Sequence, residues 1–520
     1  MENIKKILQN FKIQESDYSI YGENIAKINI TKNDLSKKGK LILMTSINPT
    51  PAGEGKTTTA IGLSDGLNLI GKKAILALRE PSMGPVFGRK GTATGGGESE
   101  VLPVDDINLH FTGDIHAITA ANNLISATID SEIYWKSNLN IDHNKVVWKR
   151  CIDLNDRALR DIEIKISKTI SRKEHFTITA ASNIMTILSL SIDENDLRWR
   201  LENALVAYSK DGKEIFVKDL KIVGALMIIL KDAIKPNIVK TKYNTPSLIH
   251  CGPFANIATG TNSIISTKLG LSLGDYCVVE SGFGSDLGFE KFMNVINYHN
   301  DLIPDCVVLV VTIRALNLHN DFENNFKHLE QHLKHVSLYN LNLVVAINFI
   351  SGDDNEQLKK LKHWLEENNY NYEMNEAYTN GAEGAKKLAI KVDEIANKKF
   401  SFKRLINDND SIEEKIKKVV NNFYYLTNFT FSDKATEKLE DIKKTAYKNY
   451  PVCMVKSFAS IDGNDAKLEN YNLEIKDLEV NTGAKFIVVY TNQVMSMPGL
   501  NKEPNSKDMD LINNIVVGLK

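Results

Sequence analysis

Residues 41–57 read Leu41-Ile42-Leu43-Met44-Thr45-Ser46-Ile47, then Asn48-Pro49, then Thr50-Pro51-Ala52-Gly53-Glu54-Gly55-Lys56-Thr57. The opening run is apolar enough for a strand buried on both faces. Beyond the loop, Ala60, Leu63, Leu67 and Ile70 recur at helical spacing and predict a helix with one apolar face. Strand, glycine-rich loop and helix form the context in which a loop cradles phosphate. Glycines at 53 and 55 let backbone N–H groups turn inward, and a helix beginning near Lys56 aims its positive end at an anion. Lys56 then sits against the β- and γ-phosphates of ATP, and the Thr57 hydroxyl serves Mg2+. The strict pattern asks for glycine where Thr50 stands, so the motif misses by one residue and rests on its context. A glycine turn with a solvated lysine is the plainer reading of the same residues.

Working outward, short runs rich in Val and Ile alternate with longer helix-like segments. Candidate strands are Leu41–Ile47, Ala74–Leu78, Ser247–His250, Tyr276–Glu280, Val307–Ile313 and Leu343–Asn348. This is how a mostly parallel sheet covered by helices reads, so the fold class is α/β, a P-loop NTPase-like sheet in a large nucleotide-binding domain with two smaller α/β or α+β domains. Ligands of such sheets bind outside the carboxyl ends of the strands, which singles out Thr50–Thr57, Arg79–Pro81, Gly252–Phe254, Ser281–Asp286, Arg314 and Asn348. A Lys-rich stretch after residue 395 and the charged helical pattern Ile412–Val420 mark one boundary near 415, and a second follows the Arg314 strand near 320. The expected units are 1–320 for nucleotide binding and catalysis, 321–415 as an α/β contributor, and 416–520 as an α+β unit. The amino-terminal stretch to Gln14 reads as a short surface helix, because Lys, Asn and Gln interrupt its apolar residues.

With 64 Lys+Arg against 65 Asp+Glu in 520 residues, the net charge of −1 leaves no field to hold nucleic acid or an anionic membrane. The longest apolar runs fall far short of the ~20 residues needed to cross a bilayer. The five cysteines are odd in number and form no C-x-x-C pair, which fits a reduced cytoplasm.

Ala74–Leu78 is expected to lie beside the Leu41–Ile47 strand and to deliver Arg79-Glu80-Pro81 to the same edge. A planar, permanently charged guanidinium there suits an acyl phosphate and its transition state; the plainer alternative is an Arg–Glu ion pair capping a strand. Next comes a glycine-dense segment, Gly84-Pro85-Val86-Phe87-Gly88-Arg89-Lys90-Gly91 and Thr94-Gly95-Gly96-Gly97, which reads equally as a closing loop or a connector. The stretch Asp105–His116 gathers carboxylates and imidazoles without transition-metal spacing, so structural hydrogen bonding or orientation of a Mg2+-bound or substrate group is favoured over direct ligation.

These residues, with Asp153–Arg160, Lys231–Asn237, Gly252–Ala258 and Met497–Leu500, resemble the formate–tetrahydrofolate ligase family in order along nearly the whole chain. The resemblance implies ATP-dependent joining of formate to tetrahydrofolate through formyl phosphate, giving 10-formyltetrahydrofolate, ADP and phosphate. It implies Mg2+, a monovalent cation (K+ or NH4+), and a homotetramer. It puts Lys56 and Thr57 in the phosphate-loop places and Arg79 beside formyl phosphate. Two positions depart from the family pattern around the pterin: Ile350-Ser351 stands where Phe-Pro is usual, and Tyr378 where a stacking Trp is usual. Aromatic stacking is worth about 0.5–1.5 kcal/mol beyond area burial, so these changes predict weaker folate binding. They also keep open a formate-activating ligase with a different amine acceptor. A P-loop ATPase switch that binds a protein partner is a further alternative.

Overall fold

In the computed structural model, which describes residues 3–30, 35–36, 38–88, 91–492 and 495–519, the apolar runs lie side by side at the centre of the molecule. Parallel strands follow in the order Pro246–Ile249, Ala74–Leu78, Tyr276–Glu280, Lys40–Ser46, Cys306–Val311, Leu343–Asn348 and Tyr372–Asn375. Antiparallel strands Asn237–Thr241, Ile25–Ile28 and Tyr18–Tyr21 extend the sheet beyond Pro246–Ile249. The expected strands form within two residues of their predicted bounds. Helices and loops cover both faces of the parallel part, which is why its strands are almost continuously apolar.

Ala74–Leu78 does not adjoin the Lys40–Ser46 strand as expected: Tyr276–Glu280 is hydrogen-bonded between them. A continuously apolar strand presents the same surface to any neighbour, so its pattern carries no record of strand order. The helix after the loop, Lys56–Leu69, is also covered more completely than a one-faced pattern predicts, with Thr59 through Leu67 all buried. It is pressed between the sheet and the helix Ala377–Ala396, so closely that a side-chain carbon on Gly62 would fall 2.2 Å from Ala377 Cβ. The expected amino-terminal surface helix forms over Ile4–Asn10, with Lys5, Lys6, Gln9 and Asn10 exposed and Ile4 and Leu8 anchoring it in the main core.

Toward the carboxyl end, Val452–Val455 pairs in parallel with Phe486–Tyr490, which pairs antiparallel with Asp477–Asn481. The helix Ile412–Phe423 starts at a capping box in which Ser411 and Glu414 satisfy each other's backbone N–H. Val452, Met454 and Ile487 share one buried cluster with Leu41, Leu43 and Ile75, so this part of the chain packs directly on the central sheet. All five cysteines are buried free thiols. Among the described residues no helix is long and apolar enough to cross a membrane.

Candidate active site

The loop between Ser46 and Lys56 depends on left-handed backbone at two places, Gly53 with φ 75° and Gly55 with φ 67°. Gly55 is also the cap of the Lys56–Leu69 helix, and a side-chain carbon on it would lie 2.4 Å from Asn348 Nδ2. That amide donates to the Glu54 carbonyl at 3.0 Å, while Asn375 donates to Asn348 Oδ1 at 2.9 Å and to Thr59 Oγ1 at 3.1 Å. The Glu54 carboxylate turns back under the loop, accepting from the Thr50 N–H at 2.7 Å and from the Thr312 hydroxyl. Arg314 donates to the Gly53 carbonyl. Residues at the ends of three successive strands, Cys306–Val311, Leu343–Asn348 and Tyr372–Asn375, thus brace the loop from beneath. Thr50, Pro51, Ala52 and Gly53 form its outer turn, closed by a Gly53 N–H to Thr50 carbonyl bond of 3.0 Å.

At the helix entrance Lys56 Nζ donates to Ser46 Oγ at 3.1 Å and to the Phe283 carbonyl. Thr57 Oγ1 donates to Glu280 Oε2 at 2.8 Å, and Arg79 Nη2 reaches Glu280 Oε1 at 3.5 Å. The strand that separates Arg79 from the loop therefore supplies the carboxylate that joins them. Arg79 does form an ion pair at a strand end, with Glu280 and not with its neighbour Glu80. Glu80 is buried, and desolvation raises its carboxyl well above the ordinary range, with Asp114 adding to the shift and Lys27 opposing it. Glu280 was not marked by sequence reasoning, because one acid at the end of an apolar strand matches no motif. Its position, one residue before the segment Ser281–Asp286, was the available signal.

The remaining sequence motifs converge around this edge. Asp153 accepts from the Ser82 hydroxyl and from the Met83 N–H at 3.0 Å, and Arg160 Nε donates to the Met497 carbonyl at 2.8 Å. In the stretch Asp105–His116, Asp114 is buried, with Lys27 Nζ at 2.7 Å from one oxygen and Asn237 Nδ2 at 2.8 Å from the other. Both of its oxygens are therefore engaged in structural bonds. Within the glycine-dense segment Gly95–Gly96 pairs with Ser99–Glu100, while Arg89 and Lys90 lie outside the described residues.

Ile350 and Tyr378 follow the adjacent strands Leu343–Asn348 and Tyr372–Asn375 and so emerge at one sheet edge. Tyr378 is 59% exposed, and its carbonyl accepts from the Glu98 N–H at 2.8 Å, setting it on the Gly96–Gly97 backbone. Ile350 is half-buried and donates its N–H to Asp353 at 2.9 Å. A second aromatic feature was not foreseen: Phe283, whose carbonyl meets Lys56, stacks on the exposed Phe458 with centroids 4.8 Å apart and planes 11° from parallel.

The model of the family described as formate–tetrahydrofolate ligase matches residues 1–520. The chain belongs to this family. It is 46% identical over 532 residues to the formate–tetrahydrofolate ligase of Pseudothermotoga lettingae, covering 98% of this chain and 96% of the relative. To the enzyme of the same name from Caldicellulosiruptor saccharolyticus it is 44% identical over 535 residues, with the same coverage of each chain. The family is one of enzymes, and the motif segments by which the sequence resembles it are those that meet at the carboxyl edge of the sheet.

Proposed function

We propose that the chain joins formate to tetrahydrofolate at the expense of ATP, through formyl phosphate, giving 10-formyltetrahydrofolate, ADP and phosphate. The observation that carries the reading is the meeting of Lys56, Thr57, Arg79 and Glu280 where a glycine loop opens onto a helix amino terminus. Formate is a poor electrophile because its carboxylate is charged and has no leaving group. A formate oxygen attacks the γ-phosphorus, the bond to the bridging β–γ oxygen breaks, and ADP departs with the electron pair. The tetrahydrofolate amine then attacks the formyl carbon, the C–O bond to phosphate breaks, and the amine gives up its proton. Lys56 carries positive charge to the phosphoryl oxygens, and Arg79 presents a fork to the carboxyl–phosphoryl group during both transfers.

The Thr57 hydroxyl and the Glu280 carboxylate are hard oxygen donors in contact, a set that fits Mg2+. When bound, that ion neutralises charge on the phosphoryl oxygens. Ile350 and Tyr378 flank the folate ring. In this reading residues 1–320 handle nucleotide and formate, 321–415 supply the folate side, and 416–520 form the smaller carboxy-terminal unit. A monovalent cation, K+ or NH4+, a homotetrameric state and a cytoplasmic location complete the proposal from family membership. The test is a coupled assay in which formate and tetrahydrofolate are each left out. ADP release that needs formate and a one-carbon product that needs both substrates support the reading. Formate-dependent release that ignores tetrahydrofolate points to another amine acceptor, and turnover independent of formate rejects the ligase.

A further inference from the structure

Asn48 stands between the strand end and the phosphate loop, and its backbone N–H, its carbonyl and its side-chain NH2 are each held by residues distant in sequence. Its backbone N–H donates to His332 Nε2 at 3.1 Å, and its carbonyl faces His319 Nε2 at 3.2 Å. Its side-chain amide donates to both oxygens of Asp286 and to the Phe458 carbonyl, each at 3.1 Å. Asp286 is in turn paired at 2.5 Å with Lys456, and both side chains are wholly buried. Behind His332, the Ser285 hydroxyl lies 2.7 Å from His332 Nδ1 and 2.7 Å from His335 Nδ1.

The geometry admits two directions for this chain of bonds, and the Asn48 N–H selects one of them. A backbone N–H can only donate, so His332 Nε2 accepts and the ring of the neutral residue carries its proton on Nδ1. That Nδ1–H donates to Ser285, whose single hydroxyl hydrogen is then given to His335 Nδ1. Asn48 Oδ1 stands 3.0 Å from the same Nε2, and His328 Nε2 stands 3.2 Å from it. A proton arriving on Nε2 would bond Asn48 Oδ1 and expel the backbone N–H, so the tautomer decides which part of Asn48 is held.

We propose that His332 is a positioning residue for nucleotide binding: with its Nδ1–H accepted by Ser285 and its Nε2 accepting from the Asn48 N–H, it fixes the root of the phosphate loop through the Asn48 backbone. Burial, the neighbouring imidazoles of His328, His335 and His319, and Lys456 all hold His332 well below the ordinary histidine range, which keeps the ring uncharged near neutrality, as an accepting Nε2 requires. The inference rests on the phosphate-loop reading and extends it to residues far from the phosphates in sequence.

The test combines kinetics with nitrogen NMR of protein labelled at histidine. Ser285→Ala removes the acceptor of the His332 Nδ1–H and is expected to raise the KM for ATP about tenfold, the worth of one buried hydrogen bond, with the KM values for formate and tetrahydrofolate within about twofold. His332→Gln, which keeps an acceptor oxygen, is expected to bind ATP more tightly than His332→Leu. In the wild-type spectrum His332 should be protonated on Nδ1 and bare on Nε2, a result that needs no variant to fold. A proton on Nε2, or an unchanged KM for ATP in Ser285→Ala, overturns the inference. Lys56→Ala serves as the control for the underlying reading: if it leaves ATP use intact, the phosphate-loop assignment fails, whatever tautomer His332 adopts.

Discussion

The hydroxyl of Thr57 donates to Glu280 Oε2 at 2.8 Å, joining the helix after the glycine loop to the neighbouring strand end. The other oxygen of this carboxylate faces Arg79, so one acid orients a hydroxyl and a guanidinium together. Glu280→Gln keeps the shape and removes the charge. The expected outcome is a fall in kcat of about a hundredfold, the scale of losing one preorganised electrostatic group, with a higher Mg2+ concentration needed for half-maximal rate. A Mg2+ titration of steady-state rates checks this; an unchanged Mg2+ requirement would confine Glu280 to holding Arg79.

Lys56 and Arg79 should separate kinetically. Lys56→Ala is expected to abolish ATP-dependent formylation. Arg79→Ala is expected to leave nucleotide binding near wild type while removing turnover, because in the proposed mechanism the guanidinium acts on the transferring group and not on adenosine. Calorimetric ATP binding beside the coupled assay tells the two apart, and wild-type rates in Arg79→Ala would reject its assignment.

Gly55→Ala meets two obstacles at once, a left-handed backbone and the Asn348 amide. The left-handed conformation alone costs a non-glycine residue about 1–2 kcal/mol. The variant should fold, because the clash is local, but bind ATP at least tenfold more weakly. Equal affinity would show that the loop relaxes at no cost.

Placing larger aromatic faces at the proposed folate edge, with Ile350→Phe and Tyr378→Trp together, is expected to lower the KM for tetrahydrofolate severalfold while leaving the KM for ATP unchanged. An unaltered or higher folate KM would remove these positions from the pterin site.

Asp65, buried in the helix behind the loop, has its carboxyl pushed up to about 7 by burial, with the Thr241 hydroxyl at 2.6 Å opposing the shift. The folded chain keeps this proton while the unfolded chain releases it near pH 4, so its contribution to stability is lost as pH rises from about 4 to 7. Asp65→Asn cannot lose it. The variant should therefore gain on the wild type in melting temperature across that window and keep a constant lead above it. A lead independent of pH would refute the raised value.

The buried parallel strands were legible because a strand covered on both faces must be apolar throughout, and Cys306–Val311 and Leu343–Asn348 show that rule in its plainest form. The glycine turn was legible because Gly53 and Gly55 answer a backbone demand that no other residue meets as cheaply. The order of the strands was not, since Tyr276–Glu280 carries nothing to say that it inserts between Ala74–Leu78 and Lys40–Ser46. Glu280 went unmarked for the same reason, its meaning arising only from that insertion. The spacing of His328, His332 and His335 on one helix was visible in the sequence, but the partner of His332, Asn48, lies 284 residues away.

Asn48 and Phe458, joined by one hydrogen bond, are 410 residues apart along the chain. At a synthesis rate of about 5–20 residues per second, the nascent cradle waits roughly 20–80 s for the segment that steadies it. Throughout that interval the ribosome-bound chain carries its entire glycine motif without the carboxy-terminal brace. A fragment ending before Lys456 remains in that unfinished condition for good.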